Sequence, residues 1–284
     1  MTPIKAAAGI ALLAISPVFS ASAAAQPAAT EPAGGRVAPT FADLADLSDK
    51  AELVVRAQVR KLAPVERERA PGLRPGWGRY YVKARTQSLL TGSVPVGESL
   101  VYLVDLPLDA RNDPPDLKKR DVVLFARPVR GRPGELQLVA PDAQLPWTPE
   151  LEGRLRPVLS QTIAPDAPAE VTGVRELIHV PGTLRGQGET QIFLDTADDS
   201  AASITVRHEP GRPPQWGASF SELLADVGNP PREGSLAWYR LACNLPNSLP
   251  RDANLSETAT ARRQAEADYR MVLGELGTCR RNRS

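Results

Sequence analysis

The chain reads as a mainly β protein: a small barrel, then a second antiparallel β module, then a C-terminal α-helix. Three observations carry that reading. Apolar residues alternate with polar ones at period two in several runs of five to ten residues, the signature of half-buried strands. The 28 prolines, many for a chain of 284 residues, fall between those runs and favour short elements joined by turns. Only one later stretch, 256–277, carries an apolar stripe at helical spacing long enough to form a full helix.

Taken in order, residues 1–25 carry Lys5, an apolar run from Ala6 to Ala14 that continues to Phe19, and the small-residue close Ala21-Ser22-Ala23-Ala24-Ala25. This is the pattern of a cleavable secretory signal, cut near Ala23 or Ala25. It is too short and too alanine-rich to remain as a membrane span. A periplasmic or secreted mature protein with no transmembrane anchor is therefore expected. Residues 26–39, rich in Pro, Ala and Gly, read as a flexible leader. Thr40 with Asp43 three residues on predicts a capped helix carrying Phe41, Leu44 and Leu47 on one side.

A domain over 40–148 follows. Val55, Ala57 and Val59 alternate with Arg56, Gln58 and Arg60, and Tyr80, Val82, Ala84 and Thr86 alternate with Tyr81, Lys83, Arg85 and Gln87. Leu100–Val104 and Val122–Ala126 are unbroken apolar runs, expected to be strands buried on both faces, and Leu136 and Leu138 supply a fifth strand. Five short strands joined by Gly/Pro turns predict a small barrel or sandwich. Residues 149–166 read as a connecting helix, kinked or split by Pro157. The second β module, 167–250, takes strands at 171–180, 190–195, 203–208, 216–220 and 236–243. Residues 251–284 hold the C-terminal helix, with Ala265, Tyr269, Val272 and Leu276 on one stripe, and a basic tail, Arg280–Arg283, expected to fray.

The run Ala-Glu-Leu-Val-Val-Arg-Ala-Gln-Val, the Tyr-Val-Lys-Ala-Arg strand ending Leu-Leu-Thr-Gly, then Gly-Glu-Ser-Leu-Val-Tyr-Leu-Val and Leu-Lys-Lys-Arg-Asp-Val-Val-Leu-Phe resemble the netrin/TIMP-like branch of the OB-fold. The resemblance spans about residues 50–140 and implies that the barrel is OB-like. Inhibitors of that branch present an N-terminal cysteine to a metalloprotease zinc. Residues 40–148 contain no cysteine, so the resemblance implies the architecture and not that mechanism. As a whole the chain resembles uncharacterised secreted proteins of Gram-negative bacteria, a likeness that implies no activity.

Chemistry-bearing residues are sparse. Cys243 and Cys279 are the only cysteines, and in an oxidising compartment a lone pair predicts one disulfide. Without Lys5 the chain holds 33 basic residues against 33 acidic ones, so no net field steers it to nucleic acid, and no nucleic-acid partner is expected. Two histidines, His179 and His208, lack the companions of a zinc site, and nucleotide-binding glycine loops are absent, so neither metal nor cofactor is expected. Asp105, Asp109, Asp113 and Asp116, and Asp195, Asp198 and Asp199, read as turn formers. Asn254-Leu255-Ser256 matches a glycosylation sequon but reads as a helix cap.

The most suggestive stretch is the loop between the first two strands, with Arg67, Arg69, Arg74, Trp77 and Arg79. OB-folds use that position for ligands, and arginines beside a tryptophan suit a sugar, a phosphate or a sulfate. The leading functional reading is a non-enzymatic protein that binds an envelope protein or a glycan through these residues. A periplasmic hydrolase centred on His179 or His208, and a structural envelope assembly factor, are the rival readings.

Overall fold

A computed structural model of the chain describes residues 38–222 and 227–283. The signal segment 1–25 and nearly all of the leader lie outside the described residues. Helix α1, Phe41–Lys50, starts where the sequence places it: Thr40 Oγ1 accepts from Asp43 N at 3.1 Å and the Asp43 carboxylate accepts from Thr40 N at 2.7 Å. Strand β1, Leu53–Pro64, is central in its sheet, pairing antiparallel with both β2, Trp77–Gly92, and β4, Asp121–Pro128. Three register shifts between β1 and β2 bend that long hairpin.

Strand β3, Ser99–Pro107, pairs with β2, and β5, Leu136–Leu138, pairs with β4. A short strand missed in the sequence, β6 at Gln144–Pro146, also pairs with β4. The five consecutive residues Val122–Ala126 are fully buried, as a strand covered on both faces requires. Strand β3 differs from expectation. It lies at the sheet edge, and Leu103 is 49% exposed, so only its inner face is core.

The expected barrel does not close. The pairing path runs β3-β2-β1-β4-β5, and across the remaining seam β3 meets the start of β5 through a single parallel bridge, Val101 with Glu135. The next bond along the outer edge of β3 is from Asp105 N to the Pro141 carbonyl at 2.7 Å. Between those two points no strand among the described residues pairs with Leu103.

Helix α2, Pro149–Thr162, is continuous through Pro157; Thr148 caps it by accepting from Leu151 N at 3.0 Å. The second sheet is an antiparallel meander: β7, Val171–Pro181; β8, Gly188–Thr196; β9, Ser203–His208; β10, Gln215–Ser219. The strand expected at 236–243 is instead a helix, α3, Leu236–Ala242, capped by Ser235. Both Trp238 and Tyr239 are buried on it, so neither periodicity was visible in the sequence. Helix α4, Ala259–Leu276, is capped by Thr258 rather than Ser256. Ser256 is buried and its Oγ accepts from His179 N at 3.0 Å, so it braces the edge of β7.

Helix α1 packs on β4 and α2, α4 packs on β7 and β8, and α3 touches α1, α2 and α4. One continuous apolar core runs through both sheets and this helical layer. Buried Arg240 of α3 crosses to Asp49 of α1, and the Tyr239 hydroxyl donates to Asp46 at 2.6 Å. Cys243 and Cys279 form the expected disulfide, closing a span of 36 residues. The basic tail does not fray. Arg281 pairs with Asp46, the backbone amides of Asn282 and Arg283 donate to the Asp43 carboxylate at 3.0–3.1 Å, and Arg283 pairs with Asp142. Burial pushes Asp46 up, but the bonds from Arg281 and Tyr239 outweigh it and hold the carboxyl below its ordinary value.

Candidate functional site

Among the described residues, a larger and a smaller concave region lie on the sheets. The larger, a cleft of about 1070 Å³, opens beside the unsealed seam of the first sheet. Tyr81 of β2, 41% exposed, and Leu103 of β3 stand on its wall, with Leu136 and Val139 opposite. Arg69 and Arg132 stand at its polar margin. This follows from edge geometry: β3 has β2 on one side, while on the other it is bonded only at Val101 and Asp105, so the backbone edge at Leu103 between them has no ladder partner among the described residues and its side chain faces solvent.

The arginine loop is only partly gathered at this cleft. Arg67 and Arg69 sit on an exposed 3-10 turn, and Arg69 with Arg79 lines the cleft. Arg79 is committed inward by a two-pronged pair with buried Asp105, at 2.6 and 2.8 Å. The hydrogen bonds that Arg79 donates to Asp105 are the main reason its guanidinium is held above its ordinary value. Arg74 stacks on Trp77 at 3.8 Å and pairs with Asp142 at 3.1 Å, and neither Arg74 nor Trp77 lines the cleft. The remaining acids of the first cluster act locally: Asp109 accepts from the amides of Arg111 and Asp113, and Asp116 from that of Lys118. In the second, Asp195 pairs with Arg175 and Asp198 accepts from Ser200.

The second region, about 250 Å³, is built on the helix-facing side of the second sheet. Register explains the assembly. His179 of β7 lies opposite Thr190 of β8, and one step along, Pro181, Gly188 and His208 lie in a row across β7, β8 and β9. Side chains two residues apart share a face, so both histidines and Thr190 project toward α4. Gly188 leaves the space the His179 ring occupies; a β-carbon there would come within 2.7 Å of His179 Cε1 and 2.8 Å of its Nε2. The two rings meet edge to face with centroids 5.9 Å apart.

From α4, Asp268 enters this group. Its carboxylate accepts from His208 Nε2 at 2.9 and 3.0 Å, from Gln264 Nε2 at 2.9 Å, and from the Thr190 hydroxyl. Because the Thr190 proton points to Asp268, Thr190 Oγ1 is the acceptor for His179 Nδ1, 2.8 Å away. The network thereby assigns the His179 tautomer, with Nδ1 protonated and Nε2 left as an acceptor. Burial holds His179 below the ordinary imidazole value; Asp268 opposes that shift and His208 reinforces it.

Chemically this differs from a nucleophile–histidine–carboxylate triad. The hydroxyl sits between base and carboxylate, so Thr190 orients His179 and is not activated by it. Among the described residues no group of three or more His, Cys, Asp or Glu side chains is arranged to hold a metal ion. Sequence reasoning named both histidines but missed Asp268, Thr190 and Gln264. A signal was present: Asp268 falls three residues after Ala265 and four before Val272, on the buried stripe of its helix.

No protein-family model matches the chain, and comparison with curated proteins finds no match. Among the described residues no helix is long and apolar enough to cross a membrane.

Proposed function

We propose that this chain is an exported, non-enzymatic protein that binds an extended segment of an envelope protein in the cleft of its first sheet. The observation that carries the reading is the unpaired outer edge of β3 at Leu103, opening onto a cleft of about 1070 Å³. An open strand edge flanked by apolar pockets is the geometry that accepts an added strand. Export is supported by the signal-like residues 1–25 and by the Cys243–Cys279 disulfide, a bond that oxidising compartments maintain. The OB-like reading draws support from the strand order, in which β1 joins β2 to β4 and β3 meets β5 in parallel. A glycan remains the alternative ligand, through Arg69 and the aromatic face of Tyr81.

The test compares capture of envelope proteins by the wild-type chain, by Leu103→Arg in the cleft and by Arg74→Ala/Trp77→Ala on the neighbouring loop. Leu103 is half exposed, so its replacement leaves the core intact. Loss of a partner by Leu103→Arg with retention by the loop variant supports the cleft. A partner kept by Leu103→Arg removes it.

The hydrolase reading gains one observation, the hydrogen bonding of both histidines into Asp268, directly for His208 and through Thr190 for His179. It lacks a nucleophile set against the base, and it stays second.

A further inference from the structure

We propose that the pocket between the β7–β8 hairpin and the start of α4 is a binding site for a small oxyanion, taken up together with a proton on His179. The argument starts from charge balance. Asp268 is the single carboxylate shared by two imidazoles, and its partners are spoken for: His208, Gln264 and Thr190. One protonated imidazole is matched by that charge. A second has no further carboxylate beside it among the described residues.

The other charged side chains around His179 are turned elsewhere. Glu189 on β8 pairs with Arg207 of β9, and Glu209 pairs with Arg212. On α4, Glu266 faces Asn254, Arg262 donates to the carbonyls of Ser256 and Glu257, and Arg263 leans on Thr260. Arg185 in the β7–β8 hairpin is exposed. Asp268 and His208, the charged or chargeable groups that adjoin His179, act on it with opposite signs.

The pocket supplies what an incoming anion requires. His179 is nine-tenths buried, its Nδ1 is held by Thr190, and Nε2 has no protein partner among the described residues. No buried polar side-chain atom among those residues is left unsatisfied, so Nε2 is reached from the pocket that His179 lines. The opposite wall is the first turn of α4, an 18-residue helix, with Thr258, Thr260, Ala261 and Gln264. Thr258 caps only Ala261, which leaves the amides of Ala259 and Thr260 without intrahelical partners at the positive end of the helix dipole. An oxyanion between this turn and a protonated Nε2 would supply the missing charge and accept hydrogen bonds from both sides. The source of the oxyanion, a phosphoryl group or a carboxylate, is a question for the probes.

The experiment titrates the full mature chain, with histidines isotopically labelled, and follows the His179 imidazole by NMR in chloride, inorganic phosphate or acetate at one ionic strength. Linkage requires that an anion bound only with the protonated ring raise the midpoint, by about one pH unit once the anion exceeds its dissociation constant roughly tenfold. A shift with phosphate alone assigns a phosphoryl group, with acetate alone a carboxylate, and with both an unselective oxyanion site. His179→Gln should abolish any gain in melting temperature from the effective anion while melting cooperatively in chloride. Identical midpoints in all three salts overturn the proposal, as does an anion-induced gain that survives in His179→Gln. The wild-type titration decides even if the variant fails to fold.

Discussion

Removing the disulfide by Cys243→Ala/Cys279→Ala probes the energetics of the C-terminal region most directly. The bridge joins the end of α3 to the segment after α4 and closes 36 residues. On the chain-entropy view, opening a loop of that size relaxes the unfolded state by about 4 kcal/mol at 25 °C. Other contacts keep the folded state nearly unchanged. Trp238 Nε1 donates to the Leu276 carbonyl at 2.8 Å, Trp216 Nε1 to Glu275 at 2.6 Å, and the Tyr269 hydroxyl to the Pro246 carbonyl at 2.6 Å. Both sulfurs pack against the core, so two alanines leave only small voids. For a body of this size about 4 kcal/mol corresponds to a fall in melting temperature of roughly 8–16 °C. Thermal melts by near-UV circular dichroism, with and without reductant, provide the assay. Wild type with reductant and the double variant should melt together, both still folded at 25 °C. A loss below about 1 kcal/mol would refute the reasoning, since the unfolded chain would then gain little freedom from opening the loop.

Asp268→Asn replaces the carboxylate on which His208, Gln264 and Thr190 converge with an amide that cannot accept all three hydrogen bonds; leaving buried donors unsatisfied costs about 1–3 kcal/mol, visible as a lower denaturant midpoint at unchanged slope. If the midpoint moves by less than 1 kcal/mol equivalent, the cluster is not holding α4 to the sheet. Gly188→Ala places a methyl group on the His179 ring and should break the Nδ1–Thr190 bond at a cost of about 1–2 kcal/mol, with a changed His179 imidazole shift; an unchanged shift would show that the ring sits elsewhere. Burial lowers the folded-state value of His179 below 6.5, so its contribution to stability is complete above that pH and is lost as pH falls through the lower folded value. Melting temperature in chloride should therefore decline from pH 7.5 to 5.5, with a flatter profile in His179→Gln; parallel profiles would remove His179 as the cause.

The local elements were largely legible. Period-two alternation in β1 and β2 mapped directly onto buried and exposed faces, and Thr40 with Asp43 capped α1 as its spacing indicates. The run 236–243 was not legible as a helix, because all-round burial erases the polar face that distinguishes the two periods. The arginine loop was found by composition. Whether each guanidinium faces solvent or an acid depended on Asp105 and Asp142, 26 and 68 residues away from the arginines they hold.

Alternation, capping boxes, turn residues and a cysteine count are properties of neighbours along the chain, and by themselves they determined a β-rich body with a C-terminal helix and one disulfide. The open seam at Leu103 and the meeting of His179, Thr190, His208 and Asp268 were decided only by the tertiary structure. Each depends on strand register and on how α4 docks on β7 and β8, which are set by packing between segments far apart in sequence.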